Sequence, residues 1–347
     1  MYNISHLVEN EQLLQDNSRS DKITAGIDIW TIIILLNNVC VSSLIGLAGI
    51  VGNIFNVIVF AHQGLKSSIN ICLFSMAISD TVTVLILEWA NICFNPFIDN
   101  LRAPVIFSDL YYVSAAWLAG STYRITLYLT VYITAERCLC ILFPLKIKTL
   151  VTPRKTKFIV VMINVANLIT LIPEYSTVYL SWRFNEARNE TVLGLAARSN
   201  RAETQPITFL THVILVVVGF LSVVVLTFIL VVHLRRQTQW RIQSSGDRKQ
   251  RAAYSLRERK SEKLVVMVAA SVVISYIPLT CVSLVTVFMP EFSIGGQLSD
   301  IFVKIWITIY IFGMTNASSN IIIYYRMNSK FKRTFQELIC SVKQTKI

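Results

Sequence analysis

Charge is scarce in this chain: Asp, Glu, Lys and Arg make up 15% of 347 residues, against 54% hydrophobic and a mean hydropathy of +0.57. An ordinary soluble domain of this size would carry more charge and shorter apolar runs. Histidine is scarce too. His6, His62, His212 and His233 lie scattered, with no metal-ligand spacing and no nucleophile beside a base, which argues against an enzyme. Of seven cysteines only Cys93 lies near a polar outer segment, and the long stretch Trp182–Pro206 has none. That excludes an extracellular disulfide framework. No internal repeat is visible, which weighs against a secondary transporter or channel built from matched halves. Residues 1–26 hold no apolar h-region, so no cleavable signal peptide is expected and the first span serves as its own insertion signal.

What is present is a series of apolar runs. Crossing a bilayer as a helix takes about 20 mostly apolar residues. Seven stretches qualify: Ile32–Phe60, Ile69–Trp89, Phe107–Thr134, Phe158–Leu180, Ile207–Leu234, Leu264–Phe288 and Ile301–Tyr325. Lipid offers no partner to an open backbone, so each is predicted to be helical. The predicted fold is an all-α membrane protein, a seven-transmembrane helix bundle. Residues 1–30 form a tail, 31–326 the bundle, and 327–347 a second tail.

Basic residues are distributed unevenly. Lys146, Lys148, Arg154, Lys155 and Lys157 follow the third run, ten more lie from Arg235 to Lys263, and the C-terminal tail adds Arg326, Lys330, Lys332, Arg333, Lys343 and Lys346. The opposite loops are poor in them, and the N-terminal tail is acidic. The asymmetry predicts a cell-membrane protein with the N-terminus outside and the C-terminus cytoplasmic. The net charge of +12 is then a property of the cytoplasmic face, facing anionic membrane lipid and a partner protein rather than nucleic acid. Sequons at Asn3 and Asn189 fall on the predicted outside, as glycosylation requires.

Polar residues inside the apolar runs are few and ordered. They are Gly49, Gly52 and Asn53 in "AGIVGN", Asp80 in "SMAISD", Thr126 and the Glu136-Arg137 pair in the third run, Pro278 in "SYIP", and Asn316, Asn320 and Tyr324 in "TNASSNIIIYY". Singly, each has an ordinary reading as a helix contact, an interhelical hydrogen bond, a kink or a snorkelling cation. Together, in this order through spans one, two, three, six and seven, they resemble the rhodopsin-like (class A) G-protein-coupled receptors from about Ile45 to Phe335. The wording around "VFAHQGLKSSINICLFSMAISD" is similar to orphan chemosensory or neuropeptide-type receptors of invertebrates, molluscs especially.

The resemblance implies roles. Glu136 and Arg137 look like the family's acid-arginine pair, with Ile141, Pro144 and Leu145 of "ILFPL" as a G-protein contact. Glu258, twenty residues before Pro278, matches the partner of an inner ionic lock, or else neutralises the basic run "LRERKSEK". Asn320 and Tyr324 belong to the switch. Asn53, Asp80, Thr126, Asn316 and Asn320 resemble a buried polar core that would hold an allosteric sodium ion, the one cofactor implied. Without a cation, a lone buried carboxylate takes up a proton. Asn328–Phe335, "NSKFKRTF", resembles a short amphipathic eighth helix. Cys340 beyond it is a candidate for palmitoylation or an unmodified tail cysteine.

Departures from the pattern matter equally. Ile321 and Tyr276 replace the usual proline and tryptophan, and Tyr112 stands at the outer disulfide cysteine's position. A disulfide-pinned hairpin is therefore not expected. Ala119, eighteen residues before Arg137 and about 27 Å higher, denies an amine its carboxylate. Met314 stands where a retinal-binding lysine would fall. Ala119, Tyr123, His212, Tyr276 and Lys304 are the candidate pocket, together with Arg124. That guanidinium would serve either an anionic ligand group or an internal pair with Glu88 or Glu174. The reading that results is a receptor, not an enzyme. It binds an extracellular small molecule or peptide and activates a heterotrimeric G protein by outward movement of the sixth helix, with a seven-helix transporter or channel as the alternative.

Overall fold

Local signals in the sequence start and stop the helices. Ser67 and Thr152 cap helices with their side-chain oxygens, which accept from the amides of Asn70 and Lys155, and Pro153 occupies the first turn after Thr152. The computed structural model of the chain describes residues 29–99, 101, 103–143, 146–186, 188–243, 249–289, 291–293 and 296–344. Among them, seven helices are long and apolar enough to cross a membrane. They are α1 (Thr31–Gln63), α2 (Ser68–Cys93), α3 (Phe107–Leu142), α4 (Pro153–Thr177), α5 (Arg201–Gln243), α6 (Lys249–Phe288) and α7 (Ser299–Met327). A further helix, α8 (Ser329–Gln344), follows at once; the Asn328 side chain accepts from the amides of Lys330 and Phe331 at its start.

The helices bury one face and leave another bare. Leu44, Phe158, Ile207, Phe228 and Ile274 are all more than 60% exposed. Such apolar surface is tolerable only against lipid. Inside, apolar clusters stack along the bundle. One, at the end that carries Glu136, gathers Phe60, Leu73, Met76, Ile133, Tyr324 and Phe331. A middle one holds Leu127, Val223, Val272, Tyr276 and Met314, and a third at the opposite end holds Ile86, Tyr111, Ala115 and Ala119. Gly49 lets α1 and α7 close up, since a Cβ there would run into the Ser318 side chain. Two segments widen to a π-helix, Leu35–Ser42 in α1 and Tyr112–Ala116 in α3, both near the end opposite Glu136.

The structure shortens one predicted span. Hydropathy carries the fourth apolar run to Leu180, but α4 is interrupted at Thr170–Leu171 and stops at Thr177. From there Val178–Asn185 forms strand β1, paired antiparallel with β2 (Glu190–Ala197). The physical reason is the pairing itself, which runs residue for residue from Val178 opposite Ala197 to Asn185 opposite Glu190 and takes up the backbone groups a helix would otherwise satisfy. A disulfide does not pin this hairpin, because every cysteine among the described residues is free. It leans instead on the chain before α3: Leu193 exchanges backbone hydrogen bonds with Pro104 and Ile106 (2.8 and 2.9 Å).

Candidate ligand cavity and buried polar core

Beneath the hairpin, α3, α5, α6 and α7 enclose a cavity of about 650 Å³. Its wall is chiefly aromatic: Tyr111, Trp117 and Tyr123 from α3, Phe209 and His212 from α5, Tyr276 from α6, and Phe302, Trp306 and Tyr310 from α7. The floor is tied across the bundle, for the Tyr276 hydroxyl donates to the Tyr123 carbonyl oxygen (2.7 Å) and the two rings meet edge to face. Gly313 leaves space for the Tyr123 hydroxyl, which a Cβ would displace. Under the hairpin the wall includes Asp109, whose Oδ2 accepts from the Leu195 amide (2.8 Å) and from Arg183 (3.0 Å).

Four of the sequence-derived pocket residues, Ala119, Tyr123, His212 and Tyr276, line this cavity. Lys304 does not. It pairs with Asp300 (2.6 Å), because the stripe of α7 facing inward runs through Phe302, Trp306 and Tyr310, and residue 304 points off that stripe.

Arg124 calls for a second correction. It is 1% exposed and pairs with neither Glu88 nor Glu174. Its Nε donates to Asn167 Oδ1 (3.0 Å), Nη2 to Thr170 Oγ1 (2.6 Å), and Nη1 meets Nδ1 of His212. The side chain faces α4 and α5, whereas Glu88 looks toward α1 and sits against Gly46 and Asn91. Glu174 belongs to a knot that sequence reasoning missed. The Tyr112 hydroxyl donates to Glu174 Oε1 (2.6 Å) and accepts from Trp117 Nε1 and Arg201 Nη2 (both 3.0 Å); Arg201 also reaches Glu174 (3.5 Å). An acid at the end of one span and an arginine at the start of the next were the available signal.

Deeper, Asp80 anchors the buried polar core. Thr126 donates to its Oδ1 (3.0 Å) and Asn320 to its Oδ2 (2.7 Å), with Ser79 beside Thr126 (3.3 Å). Asn53 donates to the Ala317 carbonyl oxygen (2.8 Å), while Asn316 turns to Ser271 (3.2 Å) rather than to Asp80. Both carboxylate oxygens are thus satisfied by neutral donors; those oxygens, with Ser79 and Thr126, are the ones a sodium ion would use. One turn beyond Asn320, Tyr324 is fully buried on Phe60 and Phe331, its hydroxyl without a partner among the described residues.

At the far end, Glu136 holds Arg137 (3.0 Å) and accepts from Ser68 (2.6 Å), which in turn contacts Thr156, so α2, α3 and α4 meet on one carboxylate. Ile141 packs half-buried against the adjoining apolar cluster. Pro278 lies inside α6, and Asn189 is exposed at the hairpin tip with φ 52°. Cys340 is exposed in α8. Asn3, Pro144 and Leu145 lie outside the described residues, as does the Glu258 side chain.

Residues 40–342 match the family model described as serpentine type 7TM GPCR chemoreceptor Srw. The chain is 25% identical over 287 residues to the tachykinin-like peptides receptor 86C of Drosophila melanogaster, covering 82% of this chain and 54% of that protein. It is also 25% identical over 319 residues to the FMRFamide receptor of Drosophila melanogaster, covering 89% of this chain and 54% of that one. The chain thus spans about half the length of the curated relatives it matches.

Proposed function

The chain belongs to the serpentine 7TM GPCR chemoreceptor family Srw, and from that premise we propose that it receives an extracellular ligand in the aromatic cavity and activates a heterotrimeric G protein at the Glu136–Arg137 end. It is a multi-pass membrane receptor and not an enzyme, and family membership removes the transporter reading. The relatives' names, a tachykinin-like peptides receptor and an FMRFamide receptor, and the family's description as chemoreceptors support two ligand classes, a peptide or a chemosensory small molecule.

The observation that carries the reading is the Tyr276–Tyr123 bond at the cavity floor. It joins α6 to α3 where a ligand would press, two residues from Pro278, whose missing N–H interrupts the α6 ladder. A ligand that favours the broken bond would favour an α6 swung about that point. The swing opens the far end and frees Arg137 from Glu136 for the G protein. Driving such a switch from 1:99 to 99:1 takes about 5.5 kcal/mol of differential binding.

Expression with a promiscuous Gα, screened for calcium release against amino acids, odorants and amidated peptides, tests the reading. An active ligand should lose at least about tenfold in signalling with Arg137→Ala while still binding, a difference of about 1.4 kcal/mol in the coupled state. Undiminished signalling by that variant would overturn the coupling surface.

A further inference from the structure

The unsatisfied groups on the cavity wall can all donate. Tyr123 Oη and Trp306 Nε1 are buried there with no hydrogen-bond partner among the described residues, and an indole N–H can only donate. His212 supplies a third donor. A guanidinium also only donates, so the contact between Arg124 Nη1 and His212 Nδ1 requires the imidazole lone pair on Nδ1 and its hydrogen on Nε2. Among the described residues Nε2 makes no hydrogen bond, and the ring stands on the wall between Trp117 and Phe209.

The charge balance points the same way. Arg124, directly behind His212, is held only by Asn167, Thr170 and His212, all neutral oxygen or nitrogen acceptors, and no carboxylate pairs with it among the described residues. The one carboxylate on the wall, Asp109, is already taken by Arg183 under the hairpin. One side of an apolar cavity is therefore backed by a positive charge that the protein does not compensate, where the low dielectric keeps its field strong.

Resting on the receptor reading above, we propose that the cavity takes a ligand bearing a carboxylate. The carboxylate accepts from His212 Nε2–H with Arg124 as the positioning and charge-balancing residue behind it. The aromatic wall grips an apolar body, and Tyr123 and Trp306 donate to a second acceptor on the α7 side. Such a carboxylate comes from a small free acid or from the C-terminus of a peptide.

Thermal unfolding of the purified receptor in detergent, titrated with matched probes, decides this. Indole-3-acetate against indole-3-acetamide represents the free acid, and N-acetylphenylalanine against its primary amide represents the peptide end. At least one acid should stabilise with an apparent affinity about tenfold above that of its amide, and which acid does so identifies the source. Arg124→Gln should erase the acid preference. If that variant does not fold, His212→Phe, which keeps a ring on the wall, should erase it instead. Equal stabilisation by amides, a preference that survives the substitution, or no stabilisation by either acid overturns the proposal. An acid that binds yet evokes no calcium release in cells counts against the receptor coupling alone.

Discussion

Tyr112 carries more structure than its place at the top of α3 suggests. Its hydroxyl bridges Glu174, Trp117 and Arg201, and the Arg201 guanidinium lies 5.3 Å from the ring centre, so one phenol ties α3, α4 and α5. Glu174 is fully buried and Arg201 nearly so, and removing one partner of such a pair leaves the other desolvated without compensation. Glu174→Gln should therefore destabilise the protein by about 3–5 kcal/mol, read as a lower unfolding midpoint in detergent. A midpoint within error of the parent would mean the knot adds nothing. The sequence offered both Glu88 and Glu174 as partners for Arg124; Glu88 faces α1 instead, and Glu174 stands at another height. Sequence alone gives neither the neighbouring helix nor its height, and Arg124 reaches Thr170, on the near side of the break in α4, while Glu174 lies beyond it.

At the level of elements, the hairpin shows how a loop is ordered without a covalent link. Hydropathy reads Val178–Leu180 as more of the fourth span, because a strand packed over a cavity and a helix in lipid are equally apolar over so short a stretch. What separates them is pairing with Glu190–Ala197, a long-range fact that periodicity does not carry. The polar residues of α1, α2, α3 and α7 were more legible, since a buried amide or carboxylate in a span has to meet another polar group, and Asp80, Thr126 and Asn320 do meet. Asn316 matched the same pattern yet bonds Ser271, a choice made by helix rotation. The hairpin itself rests on Asp109, which holds β2 through the Leu195 amide and β1 through Arg183. A hydrogen bond to a charged group contributes about 1.5–3 kcal/mol. Asp109→Ala should thus speed hydrogen exchange at the Leu195 amide by about tenfold or more. Exchange at Tyr276, deep in α6, should stay as slow as in the parent. A reducing agent should leave the hairpin's exchange unchanged, since no disulfide is there to break among the described residues.

For the molecule as a whole, the two ends of the bundle differ in charge. The end bearing Glu136 and Arg137 presents Lys146, Arg154, Lys155 and Lys157, with Lys332 and Arg333 on α8 beside it. At the hairpin end the basic residues are largely matched: Arg183 by Asp109, Arg201 by Glu174 and Lys304 by Asp300. An excess of lysine and arginine near span ends stays on the cytoplasmic side during insertion, whatever acids lie beside them. On that ground the hairpin end, with the aromatic cavity, should face outward, and the Glu136–Arg137 end the cytosol. Asn189 makes the outward half testable: it is exposed at the hairpin tip in an Asn-Glu-Thr sequon, so a cell-expressed receptor should carry a glycan there that endoglycosidase removes and Asn189→Gln prevents. An epitope placed between Gln243 and Lys249, where α5 and α6 join, tests the other half. It should bind antibody only after the cells are permeabilised. Labelling of that epitope on intact cells would invert the bundle, put the cavity in the cytosol, and remove the basis for reading it as a receptor for an external ligand.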